Sequence, residues 1–156
     1  MAKNLQRMSE AADDDPGNAL LRMEFALALV EGGQYAEGLR NLYRAAALGP
    51  ELAEPQYNLG VLYGGILLND LAVDEAWEDH TDEEILFENA ALHYRNAIQL
   101  DPSMVRALNN LARLCALRGL TEEACDLLRR SLDIDPNQSD VEADLEEIES
   151  THMLIF

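Results

Sequence analysis

Three stretches of the chain carry the same stripe of apolar and small residues, at the i, i+3, i+4 and i+7 spacing that lines one face of an α-helix. The first runs from Ala19 to Leu52, through Arg22, Phe25-Ala26, Leu29, Gly38, Leu42, Ala45 and Pro50. The third runs from Val105 to Gln138, through Leu108, Leu111-Ala112, Cys115, Ala124, Leu128, Ser131 and Pro136. The second begins at Ala53 with Gln56, Leu59-Gly60 and Tyr63, and resumes after an interruption with Ala90, Tyr94, Ala97 and Pro102. Each stretch predicts two antiparallel helices, with Ala26, Gly60 and Ala112 small enough for the helices to approach closely. Gly33 and Gly119 fall where the first helix of a pair must stop, at a position that tolerates left-handed backbone. Thr121, followed by Glu122-Glu123, predicts the N-cap of a returning helix. Asp101-Pro102 and Asp135-Pro136 end returning helices, because the residue before a proline is pushed out of the α region. No alternating strand pattern is present.

The prolines keep time. Pro16 and Pro50 are 34 residues apart, as are Pro102 and Pro136, while Pro50 and Pro102 are separated by 52, which is 34 plus an insertion of 18. A fixed period of this length marks a helical repeat array. The spacing of small, large and proline positions resembles the tetratricopeptide repeat, W-x2-L-G-x2-Y…A-x3-F…P. The resemblance implies an all-α fold, a right-handed superhelix of stacked antiparallel helix pairs. Three repeats, at 19–52, 53–104 and 105–138, would be followed by a C-terminal capping helix. The aromatic that usually opens the repeat is replaced by Arg22, Gln56 and Leu108.

The flanks extend the pattern. Leu5, Met8 and Ala11 stand in the phase of Leu39, Leu42 and Ala45, so residues 1–18 hold either the second helix of a degenerate repeat or a frayed tail. At residues 139–156, Val141, Leu145 and Ile148 form a narrow stripe on an otherwise acidic helix, as a capping helix with one wet face should.

The insertion lies near residues 67–84, between the helices of the middle unit. Apolar residues stay in helical phase through Ile66-Leu67, Val73 and Trp77, and return through Leu86-Phe87. The simplest expectation lengthens both helices by about nine residues, a protrusion of ~13 Å at the helical rise. The alternative is a break near Asn69, after Gly64-Gly65, with Asp70 capping a separate short helix. Thr81-x-x-Glu84 has capping-box spacing and starts the returning helix near Asp82. Trp77, Asp79 and His80 form a candidate second surface for a partner, unless Trp77 simply packs on Leu86 or Phe87.

Charge narrows the partners. Thirty acids face eleven bases, for a net charge of −19, and Lys3 is the single lysine. This argues against nucleic acid, whose binding rests on neutralised phosphates, and against anionic membrane surfaces. The acidity serves either a basic partner or a solvated, repulsive surface, as in a salt-adapted cell. No secretory h-region and no apolar run long enough to span a bilayer is visible, so the chain reads as soluble and cytoplasmic. Cys115 and Cys125 are too few for a disulfide framework, and Cys115 reads as a buried, inert thiol. His80, His93 and His152 show no metal-ligand spacing, no phosphate-binding loop is legible, and no cofactor or catalytic group is expected.

The remaining candidates lie off the spine on the leading helices, which line the concave face of such an array. They are Met23 and Leu27, then Tyr57, Asn58 and Val61, then Arg106, Asn109, Asn110 and Arg113. Asn58 and Asn110 occupy equivalent places, and an amide offers donors and an acceptor to an extended peptide backbone. The resemblance implies that job for asparagine there. Asn58 and Arg106 also match two positions of the family's carboxylate clamp, but Met23, Leu27 and Asn110 replace its other polar residues. The groove thus reads as apolar at one end and basic at the other. Arg106 and Arg113 either meet a ligand carboxylate or pair with the chain's own acids. The expected function is a non-enzymatic scaffold or adaptor binding a peptide of a partner protein. The alternatives are a secretion-type chaperone holding an apolar segment, and a self-assembling structural protein joined through Met153, Leu154, Ile155 and Phe156.

Overall fold

The computed structural model describes residues 2–68 and 82–153. The expectations for Asp70, Val73, Trp77, Asp79, His80 and Thr81, and for the apolar tail from the Met153 side chain through Leu154, Ile155 and Phe156, lie outside the described residues. Among the described residues there are eight helices and no strand: α1 Ala2–Asp14, α2 Ala19–Glu31, α3 Tyr35–Leu48, α4 Ala53–Leu67, α5 Glu83–Leu100, α6 Val105–Leu117, α7 Thr121–Ile134 and α8 Ser139–Met153. The tightest packing is within the pairs α2–α3, α4–α5 and α6–α7, and each pair stacks on the next, with α1 against α2 and α8 against α7. This is the architecture of an all-α stack of helix pairs.

The turns follow from two glycines. Gly33 and Gly119 adopt φ of 79° and 72°, a conformation that a side chain disfavours. After Gly33, the Gln34 amide donates to Leu29 O and the Gly33 amide to Val30 O, both at 2.9 Å. After Gly119, the Leu120 amide donates to Cys115 O at 2.9 Å and the Gly119 amide to Ala116 O at 3.0 Å. Both are complete Schellman motifs, which satisfy carbonyls that the helix ends leave open. The motif also moves one expected cap. Leu120 stands at the N-cap of α7 without a side-chain cap bond, and Thr121 is the first helical residue, its hydroxyl 3.4 Å from Gly119 O. On the returning side, Asp101 and Asp135 hold extended backbone at the ends of α5 and α7, ahead of their prolines.

Close approach within pairs depends on small residues. A Cβ on Gly60 would lie 2.6 Å from the Tyr94 ring, so glycine there lets α5 seat its tyrosine against α4. Ala26 and Ala112, in the equivalent places, are fully buried. The core runs continuously through Leu42, Leu59, Leu108, Leu111 and Leu128 to Val141 of α8. Leu145 and Ile148 pack against that core from α8, as a capping helix requires. At the other end, α1 lays Leu5, Met8 and Ala12 on Phe25 and Leu29 of α2. Ala12, rather than Ala11, is the buried residue of that face.

In the middle pair the leading helix stops next to the expected break near Asn69, and the insertion beyond it, residues 69–81, lies outside the described residues. α4 has 15 residues against 13 in α2 and in α6, and α5 has 18 against 14 in α3 and in α7. The described helices are longer by two and four residues rather than nine each, and α4 stops at Leu67 with Leu68 as its cap, shortly after Gly64-Gly65, as the alternative of a break near Asn69 expects. The returning helix begins with Asp82 as N-cap, its carboxylate accepting from the Glu84 amide at 2.9 Å and the Ile85 amide at 3.4 Å.

Candidate peptide-binding groove

The leading helices α4 and α6 touch directly. Between them lies a cavity of about 380 Å³, lined by Val61, Gly64, Gly65 and Leu68 of α4 and its cap, Tyr94 of α5, and Asn110, Arg113, Leu114 and Leu117 of α6. A second cavity of about 340 Å³ continues from it to α8, sharing Leu68, Arg113 and Leu117 and adding Leu128, Asp144, Glu147 and Ile148. The two form one groove with a mainly apolar floor. Leu117 is 65% exposed, Leu68 48% and Val61 38%, so the chain leaves large apolar side chains uncovered here. Of the residues expected from helix phase, Val61, Asn110 and Arg113 line this groove, and Leu68, Leu114, Leu117, Asp144 and Glu147 join them only in the folded stack. The exposed leucines share helices with buried ones, and only the stacking of three units decides which faces stay open.

Most of the predicted residues are held by contacts within the chain. Arg106 stacks on the Tyr57 ring at 4.4 Å and lies 3.8 Å from the Glu54 carboxylate. Asn58 donates to Glu54 O at 2.9 Å and reaches Met23 Sδ at 3.5 Å. Asn110 donates to Tyr57 Oη at 3.3 Å and Tyr94 Oη at 3.5 Å. Arg113 pairs with Asp144 through Nε at 3.1 Å and with Asp140 at 3.2 Å. Met23 and Leu27 are half-buried against the core, at the far end of the same face. Asn109 turns away: its amide donates to Gln138 Oε1 at 2.8 Å, at the entrance to α8, and its Oδ1 is buried without a partner among the described residues. The asparagine ladder is therefore not a row of open amides, and both arginines carry internal acidic partners.

Behind the groove, the polar spine residues build networks that the sequence did not announce. Gln56 Oε1 accepts from His93 Nδ1 at 2.8 Å and from Asn96 at 3.3 Å. Since Nδ1 donates, Nε2 accepts from Tyr43 Oη at 3.0 Å, and Tyr43 Oη in turn accepts a hydrogen bond from the Tyr63 hydroxyl at 3.1 Å. Burial pushes the His93 pKa down to about 4, because the imidazolium would lose its hydration. Burial raises the Tyr63 and Tyr94 hydroxyls well above their usual range. Arg22, at the same spine position of the first unit as Gln56 in the second, donates to Ala12 O at 2.9 Å and so ties α1 to α2. Cys115 is buried and its thiol is pushed up to about 11, mainly by desolvation, which leaves little thiolate at neutral pH. Among the described residues no group of His, Cys, Asp and Glu is arranged to hold a metal, and no helix is long and apolar enough to cross a membrane.

Residues 86–139 match the family model described as tetratricopeptide repeat. The chain has the tetratricopeptide-repeat fold. It is similar to the first TPR of Spaghetti (RPAP3) bound to HSP90 peptide SRMEEVD, with a TM-score of 0.68 and 18% identity over 87% of this chain and 94% of that one. MamA from Desulfovibrio magneticus RS-1, residues 41 to the end, aligns with a TM-score of 0.74 and 14% identity over 97% of this chain and 75% of that one. The Arabidopsis OM64 TPR domain gives a TM-score of 0.67 at 14% identity, over 85% and 95% of the two chains. No curated protein matches the sequence.

Proposed function

We propose that this chain is a protein–protein interaction module, a non-catalytic scaffold or adaptor that holds a peptide segment of a partner in the groove between α4, α6 and α8. The observation that carries the reading is the open apolar floor. Single apolar side chains such as Leu20 and Leu92 are exposed elsewhere, but Val61, Leu68 and Leu117 line one concave groove together, and a contiguous patch of that kind marks an interaction site more often than scattered exposed residues do. The fold supports it, since stacked helix pairs create extended concave surfaces of this type. One tetratricopeptide structure of similar shape is that of RPAP3 bound to an HSP90 peptide. The two cysteines, both buried free thiols, fit a reducing cytoplasm.

The test is selection of a displayed random-peptide library on the full chain and on the Val61→Arg/Leu117→Arg double variant. Both side chains are solvent-exposed, so the variant keeps its core. Peptides enriched on the parent and lost on the variant support the groove. Equal enrichment on both, or none on either, overturns it.

A further inference from the structure

Resting on that reading of the groove, we infer that its ligand is cationic: an apolar anchor residue flanked by lysine or arginine, rather than an acidic tail. The arginines that would receive an acidic ligand are already engaged. Arg113 is held by Asp140 and Asp144, and Arg106 lies against Glu54 and the Tyr57 ring. A ligand carboxylate would compete with the two carboxylates already on Arg113 while entering the field of a chain with net charge −19. A ligand cation instead meets carboxylates on the α8 wall of a groove in which Arg113 is the one base among the described lining residues and already carries two acidic partners. Glu147 stands on the wall of the groove, exposed and with no side-chain ion pair among the described residues, next to Asp144. The apolar floor at Leu68 and Leu117 and the carboxylates of α8 therefore sit side by side. That juxtaposition complements a segment with a large apolar residue and a base within a turn or two of it. The peptide held by RPAP3, SRMEEVD, ends in the opposite charge pattern.

The experiment uses three defined synthetic peptides: an amphipathic leucine–lysine sequence, its leucine–glutamate counterpart, and a serine–lysine sequence of equal charge with no apolar residue. Each is titrated into the full chain by calorimetry, then into Glu147→Lys, into Leu117→Asn and into Glu88→Lys. Glu88 is an exposed acid of α5 outside the groove lining, so Glu88→Lys changes the net charge by the same amount as Glu147→Lys. The expected result is saturable 1:1 binding of the leucine–lysine peptide. It should weaken roughly five- to tenfold in Glu147→Lys and in Leu117→Asn, and much less in Glu88→Lys. Equal weakening by Glu147→Lys and Glu88→Lys, or equal binding of the serine–lysine peptide, shows diffuse attraction and overturns the inference. Leucine–glutamate binding that depends on Leu117 also overturns it while leaving the groove intact. Failure of both leucine peptides on the parent chain counts against the groove as well.

Discussion

At the first spine position of its leading helix, the pair α6–α7 carries Leu108, fully buried among apolar neighbours. The pair α4–α5 carries Gln56 at that position, and its amide oxygen is the terminal acceptor of a chain running from Tyr63 through Tyr43 and His93. The pairs differ again at the small residue that follows: Ala112 is accommodated in one, while Gly60 is required in the other by the ring of Tyr94. The same helical geometry is thus held by apolar packing in one unit and by satisfied buried hydrogen bonds in the next. The second solution makes its junction dependent on a proton and on one missing methyl; the first does not.

The largest expected effect breaks the apolar side of that comparison. Leu108→Ala should cost about 2–5 kcal/mol of stability by leaving a cavity, read as a lowered urea midpoint with an unchanged slope. On the polar side, acid should act through His93. Its folded pKa of about 4 lies below the ordinary value of 6.5, so the unfolded chain takes up the proton first. The neutral-pH contribution is intact above about 6.5 and drains away as the pH falls toward 4, by up to roughly 3 kcal/mol. Urea titrations of the parent and of His93→Gln across that window should show the parent losing stability relative to the variant. A parallel pair of curves would show that the network does not titrate as described.

Exchanging the small residues sharpens the comparison at lower amplitude. Gly60→Ala forces a methyl to 2.6 Å from Tyr94 and should cost about 1–3 kcal/mol, although alanine is the better helix former. Ala112→Gly in the neighbouring pair should cost about 1 kcal/mol, from the helix penalty of glycine. Thermal melts of both variants check the order. The smallest effect is expected at the surface: Arg113→Ala removes exposed ion pairs to Asp140 and Asp144 and should shift stability by less than about 1 kcal/mol, and by less still in high salt.

The repeat register was legible because it is local. A helix face repeats at fixed spacing, and Gly33, Gly119, Asp101 and Asp135 punctuate it by backbone conformation alone. The polar junctions were not legible, because their partners are distant. Gln56 and His93 are 37 residues apart, and Tyr43 and His93 are 50 apart, so the bonds exist only once the pairs stack. The groove was half legible for the same reason. Val61, Asn110 and Arg113 follow from helix phase, whereas the neutralisation of Arg113 comes from α8, 27 and 31 residues away. Apolar phase alone does not say where a helix stops, so the sequence leaves both a continuous extension and a break near Asn69 open. The cap at Leu68 favours the break.

Groove binding is tested most directly by nuclear magnetic resonance of the isotope-labelled full chain, titrated with the tightest peptide from the display selection. Binding in the groove predicts that the largest amide shifts fall on Val61, Gly64, Leu114 and Leu117, with Glu147 following. Shifts confined to the outer residues of α3 and α5, such as Arg40, Arg44 and Leu92, with the α4 and α6 amides unmoved, would contradict it.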